Sequence, residues 1–216
     1  MAAKPKVVTE WYKVNAWFKK KPLKVYNKDY FDGAKINFHT LADPASAEEI
    51  QKLEAFLGFP IPDELLKMLL LHNGEDNGDI SLFFDMSFMS IDRIIQQVQF
   101  SRELKNESQK EVLSKPSEFI QTKYYSEKWI PVFTDNAGNY LSIDMDPGIR
   151  GTKNQIIIHG RDYDFNYWAG ENLVDFFEML VYQTSKSLSH ITSLSKKFDL
   201  HFLDRIIALR NSFYQK

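Results

Sequence analysis

Cysteine is absent from this chain of 216 residues, and the absence excludes several kinds of chemistry. Without a thiol the chain has no disulfide bond, no thiolate metal site and no cysteine nucleophile. Long apolar runs are also missing, since none approaches the roughly 18 residues of a membrane span. The first ten residues lack the apolar core of a signal peptide. We therefore expect a protein of the cytoplasm.

The signature motifs of common enzyme classes are missing as well. The sequence contains no Gly-x-Ser-x-Gly elbow, no Walker lysine loop and no Gly-x-Gly-x-x-Gly turn. Its five histidines are scattered, and none stands at the spacing at which two side chains of one helix share a metal ion. We predict no catalytic residue, no metal site and no cofactor. A hydrolase that uses Asp and His is kept as a distant alternative.

Acidic residues are scarce at the two ends of the chain, and basic residues are outnumbered in its middle. Residues 1–40 carry nine Lys/Arg against three Asp/Glu, and residues 181–216 carry six against two. Residues 41–180 carry 12 against 24, a net charge of −12. An acidic body repels nucleic-acid phosphates and attracts basic partners. An acidic surface also keeps a protein soluble without any partner, and the sequence leaves both interpretations open.

Apolar residues recur at helical spacing in several segments, and cap residues mark some of their ends. Ser46 begins a capping box with Glu49, and Gly58 ends the helix that follows. Pro62 stands at the start of another helix, which Asn73-Gly74 is expected to terminate. The predicted helices cover 9–20, 46–57, 62–73, 90–98, 173–180 and 202–213.

Strand patterns occupy the middle of the chain. Trp129–Thr134 and Tyr140–Asp144 flank a loop that contains Gly138, which predicts a β-hairpin. Residues 80–84 and 156–158 read as further strands, whereas the polar segment 101–118 reads as a helix or loop. Strands joined by turns pair antiparallel. The sequence thus predicts an α+β fold with a mainly antiparallel sheet flanked by N-terminal and C-terminal helices.

Residues 46–74 and 129–147, followed by Gly151, Gln155–Ile157 and the helix at 173–180, together resemble the SUKH superfamily. This superfamily includes fungal Smi/Knr cell-wall regulators and bacterial toxin-immunity proteins. The resemblance covers about residues 9–180. It implies a single domain over 1–216, in which 181–216 form a helical C-terminal extension. That extension either packs on the family core or meets a second chain.

The resemblance also implies a binding module without catalytic residues. Several residues match the family pattern, and each has a role in a scaffold: Asn73, Gly74, Trp129, Pro131, Gly138 and Asp144. Trp129 is expected to anchor the core, and Gly138 to supply turn geometry.

The first functional hypothesis is an immunity protein that neutralises a polymorphic toxin, because an acidic surface can occupy a nuclease active site. Its partner would be a cognate toxin domain, with no nucleic acid and no membrane. The alternative is a regulatory scaffold or adaptor of the cell-wall-regulator type. Fungal regulators are expected to carry long disordered flanks. This chain is expected to have no such flanks, which is taken to favour the immunity hypothesis.

Partner contacts are expected on exposed loops, where specificity varies without harm to the core. The predicted contact residues are acids, together with two tyrosines that serve as aromatic anchors. They are Glu75, Asp76, Asp79, Asp144, Asp146, Asp162, Asp164, Tyr163 and Tyr167. In the alternative interpretation, these acids face only water.

Overall fold

The structure is a computed structural model that describes residues 4–20, 40–76, 81, 86–104, 111–186 and 201–214. The helices in these ranges are α1 Lys6–Lys20, α2 Ala47–Leu57, α3 Asp63–Leu69, α4 Ile91–Leu104, α5 Leu173–Lys186 and α6 Phe202–Tyr214. The strands are β1 Ser87–Phe88, β2 Leu113–Lys115, β3 Trp129–Thr134, β4 Asn139–Asp144, β5 Gln155–Gly160 and β6 Phe165–Gly170.

The strands form one sheet in the order β1-β3-β4-β5-β6-β2. All neighbours pair antiparallel except β2 and β6, which run parallel. The predicted hairpin is confirmed, with Thr134 opposite Tyr140 and Trp129 opposite Asp144. Helices α1 to α4 come before the body of the sheet in the chain, and α5 and α6 come after it. The predicted α+β class is therefore confirmed.

One face of the sheet carries the main core. Trp11 of α1 is fully buried there, and its ring centroid lies 5.3–5.6 Å from those of Phe88, Phe133 and Phe177. Such aromatic contacts add to the free energy that burial of apolar area supplies. Helix α1 begins at Lys6, earlier than predicted, because Thr9 donates its backbone N–H to the Pro5 carbonyl and so lies within the first turn.

Local signals fix the segment from α2 to α4. The capping box is confirmed, since Glu49 N–H donates to the Ser46 hydroxyl and Ser46 N–H donates to the Glu49 carboxylate. Helix α3 ends at Leu69, before the predicted terminator at Asn73-Gly74. The Asn73 side chain instead donates to Glu49 Oε1 at 2.9 Å and accepts the N–H of Ile91 at 2.8 Å. Asn73 thus ties the start of α2 to the start of α4.

Three observed strands, β1, β2 and β6, were not predicted, and one predicted strand falls largely outside the described residues. Of the segment 80–84, only residue 81 is described, and the first observed strand is Ser87–Phe88. Strand β2 lies in the segment read as a polar helix or loop. It pairs with β6, also unpredicted, in the sheet's parallel contact.

Helix α6 packs on the same core as the rest of the chain. Phe202, Leu203 and Ile206 are buried in the main hydrophobic cluster. Arg210 donates to the Ala169 carbonyl and to the Asp175 carboxylate, both at 2.9 Å. Of the two expectations for the C-terminal extension, its described part therefore shows packing on the core. No helix in the described ranges is long and apolar enough to cross a membrane.

Candidate protein-binding surface

The predicted contact residues do not form one acidic face. Glu75 and Asp76 lie at the edge of the sheet beside β1, whereas Asp144 and Asp146 lie at the end of β4. Asp162 contacts Asn139, which begins β4. Because a strand rises about 3.4 Å per residue, the two ends of β4 lie roughly 17 Å apart. The acids therefore form separate groups, and Asp79 lies outside the described residues.

Glu75 completes the edge of the sheet. Its backbone N–H donates to the Phe88 carbonyl at 3.0 Å, and its carboxylate accepts the N–H of Phe88 at 3.1 Å. On its other side it forms an antiparallel bridge with Leu41. Asp76 is exposed and accepts a hydrogen bond from the Thr40 hydroxyl at 3.4 Å. Of this pair, Asp76 is exposed and Glu75 is half-buried.

Asp144, predicted to lie on an exposed acidic face, is instead fully buried. Its carboxylate accepts hydrogen bonds from the side chain of Gln155 at 2.9 Å and from the N–H of Asp146 at 3.0 Å. Burial removes the carboxylate from water and raises the pKa of Asp144 to about 6, although these hydrogen bonds act against the shift. The residue therefore supports the scaffold and is inaccessible to a partner in this conformation.

Asp146 is half-buried and already paired. Its carboxylate lies 3.2 Å from the amine of Lys123 in an ion pair whose two side chains are each nearly half exposed. Exposed pairs of this kind contribute little to stability. Asp146 is available to a partner only in exchange for this contact.

The β5–β6 turn holds the remaining predicted contacts. Asp162 is exposed, and the hydrogen bond from Asn139 lowers its pKa. Asp164 is exposed as well. Tyr163 is half-buried and donates its hydroxyl to Asp204 of α6 at 3.2 Å, and its ring centroid lies 6.0 Å from that of Tyr167. Desolvation raises the pKa of both tyrosines. The tyrosines thus contribute to the packing around α6, and the two acids are the accessible side chains.

The opposite face of the sheet holds a second, smaller cluster. Trp129 is buried there, with its ring centroid 4.8 Å from that of His159. His159 is also buried, and desolvation lowers its pKa to about 3, so the imidazole is neutral at physiological pH. One ring nitrogen, Nε2, lies 2.8 Å from the Ser142 hydroxyl. The neutral imidazole is thus part of the packed interior of this cluster.

The remaining family-pattern residues have backbone roles. Pro131 lies where the β3–β4 register shifts, and a residue without an N–H is tolerated at such an irregularity. Gly138 adopts φ 105° in the hairpin loop, a conformation that other residues rarely adopt. Gly74 adopts φ 86°, and a Cβ there would lie 2.5 Å from the backbone nitrogen of Ser90. These positions shape the scaffold.

An open cleft of about 400 Å³ lies near the start of α5. Lys6, Lys67 and Lys153 line it together with acidic side chains. Glu64 accepts the N–H of Leu173 at 2.9 Å, and desolvation raises its pKa. Its carboxylate thus already occupies the N-terminus of α5. Within the described ranges, no group of three or more His, Asp or Glu side chains is placed to hold a metal ion.

Sequence reasoning missed the most exposed large apolar side chain of the described residues. Ile149 is 89% exposed, whereas the other exposed large apolar residues reach 59% at most. It lies in the loop after β4, between Gly148 and Gly151. An isoleucine among glycines and charged residues was the available signal, but sequence alone does not show which way a loop side chain points.

Comparisons with known proteins find similarity to three proteins named as regulators in fungi. The "Cell wall assembly regulator SMI1" of Saccharomyces cerevisiae is 26% identical over 174 residues, which cover 63% of this chain and 34% of the yeast protein. The "Cell wall biosynthesis/cell cycle regulator smi1" of Schizosaccharomyces pombe is 24% identical, with 82% and 36% covered. The "Glucan synthesis regulatory protein" of Neurospora crassa is 23% identical, with 81% and 37% covered.

This chain spans about a third of the length of these curated relatives. The family model described as "SMI1 / KNR4 family (SUKH-1)" matches residues 44–179, which run from just before α2 into α5. The match covers more than half of the chain and confirms the resemblance found in the sequence. The chain belongs to the SMI1 / KNR4 family (SUKH-1).

Proposed function

We propose that this chain is a non-catalytic regulatory module that binds other proteins in the control of cell-wall assembly. The observation that carries the proposal is the similarity to relatives named as regulators of cell-wall assembly, cell-wall biosynthesis and glucan synthesis. The partner is a protein, and the cytoplasm is the proposed compartment. The alternative stated for the sequence is thereby preferred to the immunity hypothesis.

The fold supports a binding role in physical terms. The sheet buries one face under helices, so its loops are held on a rigid frame. Asp162 and Asp164 remain predicted contacts at the β5–β6 turn, since both side chains are exposed. A surface that is ordered before binding loses little conformational entropy when a partner arrives.

Chain length no longer favours the immunity hypothesis. The relatives extend well beyond the matched segment, since this chain covers only 34–37% of the three described. Flanks in the relatives are therefore compatible with a shared central module, and their presence or absence does not separate the two hypotheses.

An immunity protein is the second candidate, and the net charge of −12 over residues 41–180 favours it. An acidic body can occupy the phosphate-binding site of a nuclease. Co-expression with toxins encoded beside the gene tests this candidate. Restored growth with one such toxin would favour the immunity hypothesis, whereas repeated failure with every adjacent toxin would remove its support.

Segment replacement in Saccharomyces cerevisiae tests the regulatory proposal. The matched segment of the yeast regulator is replaced by residues 1–216 of this chain in a strain that lacks the native regulator. We expect the chimera to restore growth on medium with a wall-binding dye, relative to a regulator from which the segment is deleted. Growth no better than that of the deletion, at equal protein abundance, would overturn the proposal.

A further inference from the structure

The loop that follows β4 presents Ile149 to solvent. Single apolar residues on a surface are common, so exposure alone carries little weight. The loop backbone supplies the further evidence. Gly148 donates its N–H to the Phe119 carbonyl at 3.0 Å, and Arg150 donates its N–H to the Glu118 carbonyl at 3.0 Å. Both neighbours of Ile149 are therefore fixed to the same segment.

Close backbone approach reinforces these hydrogen bonds. A Cβ at Gly148 would lie 2.2 Å from the Glu118 carbonyl oxygen, and a Cβ at Gly151 would lie 2.0 Å from that of Phe119. Glu118 itself adopts φ 65°, which is unfavourable for a residue with a Cβ. Both segments thus adopt backbones suited to this contact, and the position of Ile149 is set before any partner binds.

The buried pair of Gln155 and Asp144 is hydrogen-bonded to the segment that contacts the loop. Gln155 donates to the Phe119 carbonyl at 2.7 Å and to the Asp144 carboxylate at 2.9 Å. Its side-chain oxygen accepts the N–H of Thr152 at 3.2 Å. One buried amide therefore holds the loop, the end of β4 and the segment around Phe119 together.

A rigid apolar side chain suits an anchor in a protein interface. Residues that contribute most to binding fill pockets from which water is excluded. An anchor fixed in place before binding loses little conformational entropy on association. Ile149 is 89% exposed, so its side chain is free to enter a pocket of a partner. Its backbone neighbours are hydrogen-bonded, so its position is fixed before binding.

The charges around the loop indicate the chemistry of the partner. Arg150 and Lys153 are exposed, and within the part of the chain that the structure describes neither forms an ion pair with a carboxylate. Lys153 shares the cleft at the start of α5 with Asp63, Glu64 and Glu171, and Lys123 forms an ion pair with Asp146. Glu118, whose carbonyl accepts the N–H of Arg150, is also exposed. Arg150, which directly follows Ile149, is thus an exposed cation with which a carboxylate of a partner can pair. Complementary charge favours a partner with acidic groups.

We propose that the loop 146–151 is a preformed docking element whose anchor, Ile149, enters an apolar pocket with an acidic rim on a partner protein. Arg150 contacts the acidic rim. The inference rests on the proposed function, since it names the surface through which the regulatory module binds.

The test uses the yeast chimera with single substitutions. We expect Ile149→Ser and Arg150→Glu to reduce growth on the dye to the level of the segment deletion. Leu70→Ser is the matched control, because Leu70 is 49% exposed and lies at the end of α3. It is expected to grow as the unsubstituted chimera does. The thermal midpoint of the Ile149→Ser chain is expected to change little, since Ile149 is largely solvated, and the abundance of every variant is compared with that of the unsubstituted chimera.

A photo-crosslinking amino acid at position 149 reads out the contact independently of growth. We expect an adduct whose partner peptide borders an apolar pocket with Asp or Glu at its rim, and no adduct from position 70. The adduct is expected to disappear with Arg150→Glu. No adduct at position 149, or one that persists with Arg150→Glu, would overturn the inference.

The outcomes separate the two proposals. If the unsubstituted chimera and its Ile149→Ser variant both restore growth, the docking inference fails and the regulatory proposal stands. If no chimera restores growth, the regulatory proposal fails, and the docking inference, which rests on it, fails as well.

Discussion

Gln155 donates its side-chain amide to the buried carboxylate of Asp144, 2.9 Å away, from the directly opposite position on the neighbouring strand. Both side chains are fully buried. The same amide reaches the Phe119 carbonyl, so this pair joins the centre of the sheet to the segment that supports the loop 146–151. A buried carboxylate next to an amide has a measurable consequence, because its proton affinity differs between the folded and unfolded chain.

Asp144 is expected to destabilise the folded state as pH rises. Its pKa is about 6 in the folded protein against 3.8 for an aspartate carboxyl in water, so the protonated form favours folding. The contribution is fully present below about pH 4 and is lost as pH rises through 6. Asp144→Asn is expected to gain stability relative to the unsubstituted chain across this range, by about 3 kcal/mol in total. Urea unfolding at a series of pH values measures the difference.

His159 is expected to act in the opposite direction. Burial lowers its pKa from 6.5 to about 3, so the neutral form favours folding. Its contribution is present above about pH 6.5 and is lost as pH falls, by about 1.4 kcal/mol per unit. His159→Gln is therefore expected to lose less stability than the unsubstituted chain between pH 6.5 and 4.

The two groups oppose each other between about pH 4 and 6, so their contributions to the slope nearly cancel in the unsubstituted chain. Asp144→Asn and His159→Gln are expected to reveal slopes of opposite sign. Two variants with the slope of the unsubstituted chain would show that neither group changes its proton affinity on folding.

Gly151→Ala is expected to destabilise the chain more than Gly58→Ala does. A Cβ at Gly151 would overlap the Phe119 carbonyl, whereas Gly58 at φ 77° has nothing within 4 Å of its Cβ position. Gly58→Ala therefore measures only the cost of a left-handed backbone, about 1 kcal/mol. Gly151 does not have a left-handed backbone, so the loss in Gly151→Ala comes from the clash with the Phe119 carbonyl. Urea midpoints compare the two. Equal losses would mean that the loop adapts easily and is not rigid.

Arg210→Ala is expected to weaken the whole fold. The variant loses hydrogen bonds to the Ala169 carbonyl and Asp175, and loses the stacking of the guanidinium over Trp168 at 4.9 Å. Each charged hydrogen bond contributes about 1.5–3 kcal/mol in favourable cases. Arg210→Lys retains the charge without the planar fork and is expected to lose less than Arg210→Ala, but still to lose stability.

Urea unfolding of the Arg210 variants measures these losses and also tests the proposal that residues 1–216 form one domain. Circular dichroism and tryptophan fluorescence are expected to report a single transition at one midpoint, shifted together by Arg210→Ala. Separate midpoints for the two probes would mean that α6 unfolds independently of the sheet.

Local signals account for the parts of the fold that were predictable from the sequence. The capping box at Ser46 and the hairpin around Gly138 depend on residues only a few positions apart, and both occur as predicted. Strand β2 has three residues, and Leu113 pairs with Phe165 far along the chain. No local pattern identifies such a pairing, because its stability comes from tertiary contacts.

The surface was less predictable than the fold. Residue type placed Asp144 among exposed acids, because unpaired carboxylates are seldom buried. Its burial depends on Gln155, on the next strand, which sequence patterns do not connect to it. Ile149 posed the converse problem, since its exposure follows from a backbone contact between two distant loops.

Cell-wall glucan content in the yeast strains is the most direct test of the regulatory proposal, because it reports on wall assembly itself. We expect a regulator carrying residues 1–216 to restore glucan towards the level of the native strain, whereas the same chimera with Ile149→Ser does not. Glucan that stays at the level of the segment deletion with the unsubstituted chimera, at equal protein abundance, would contradict it.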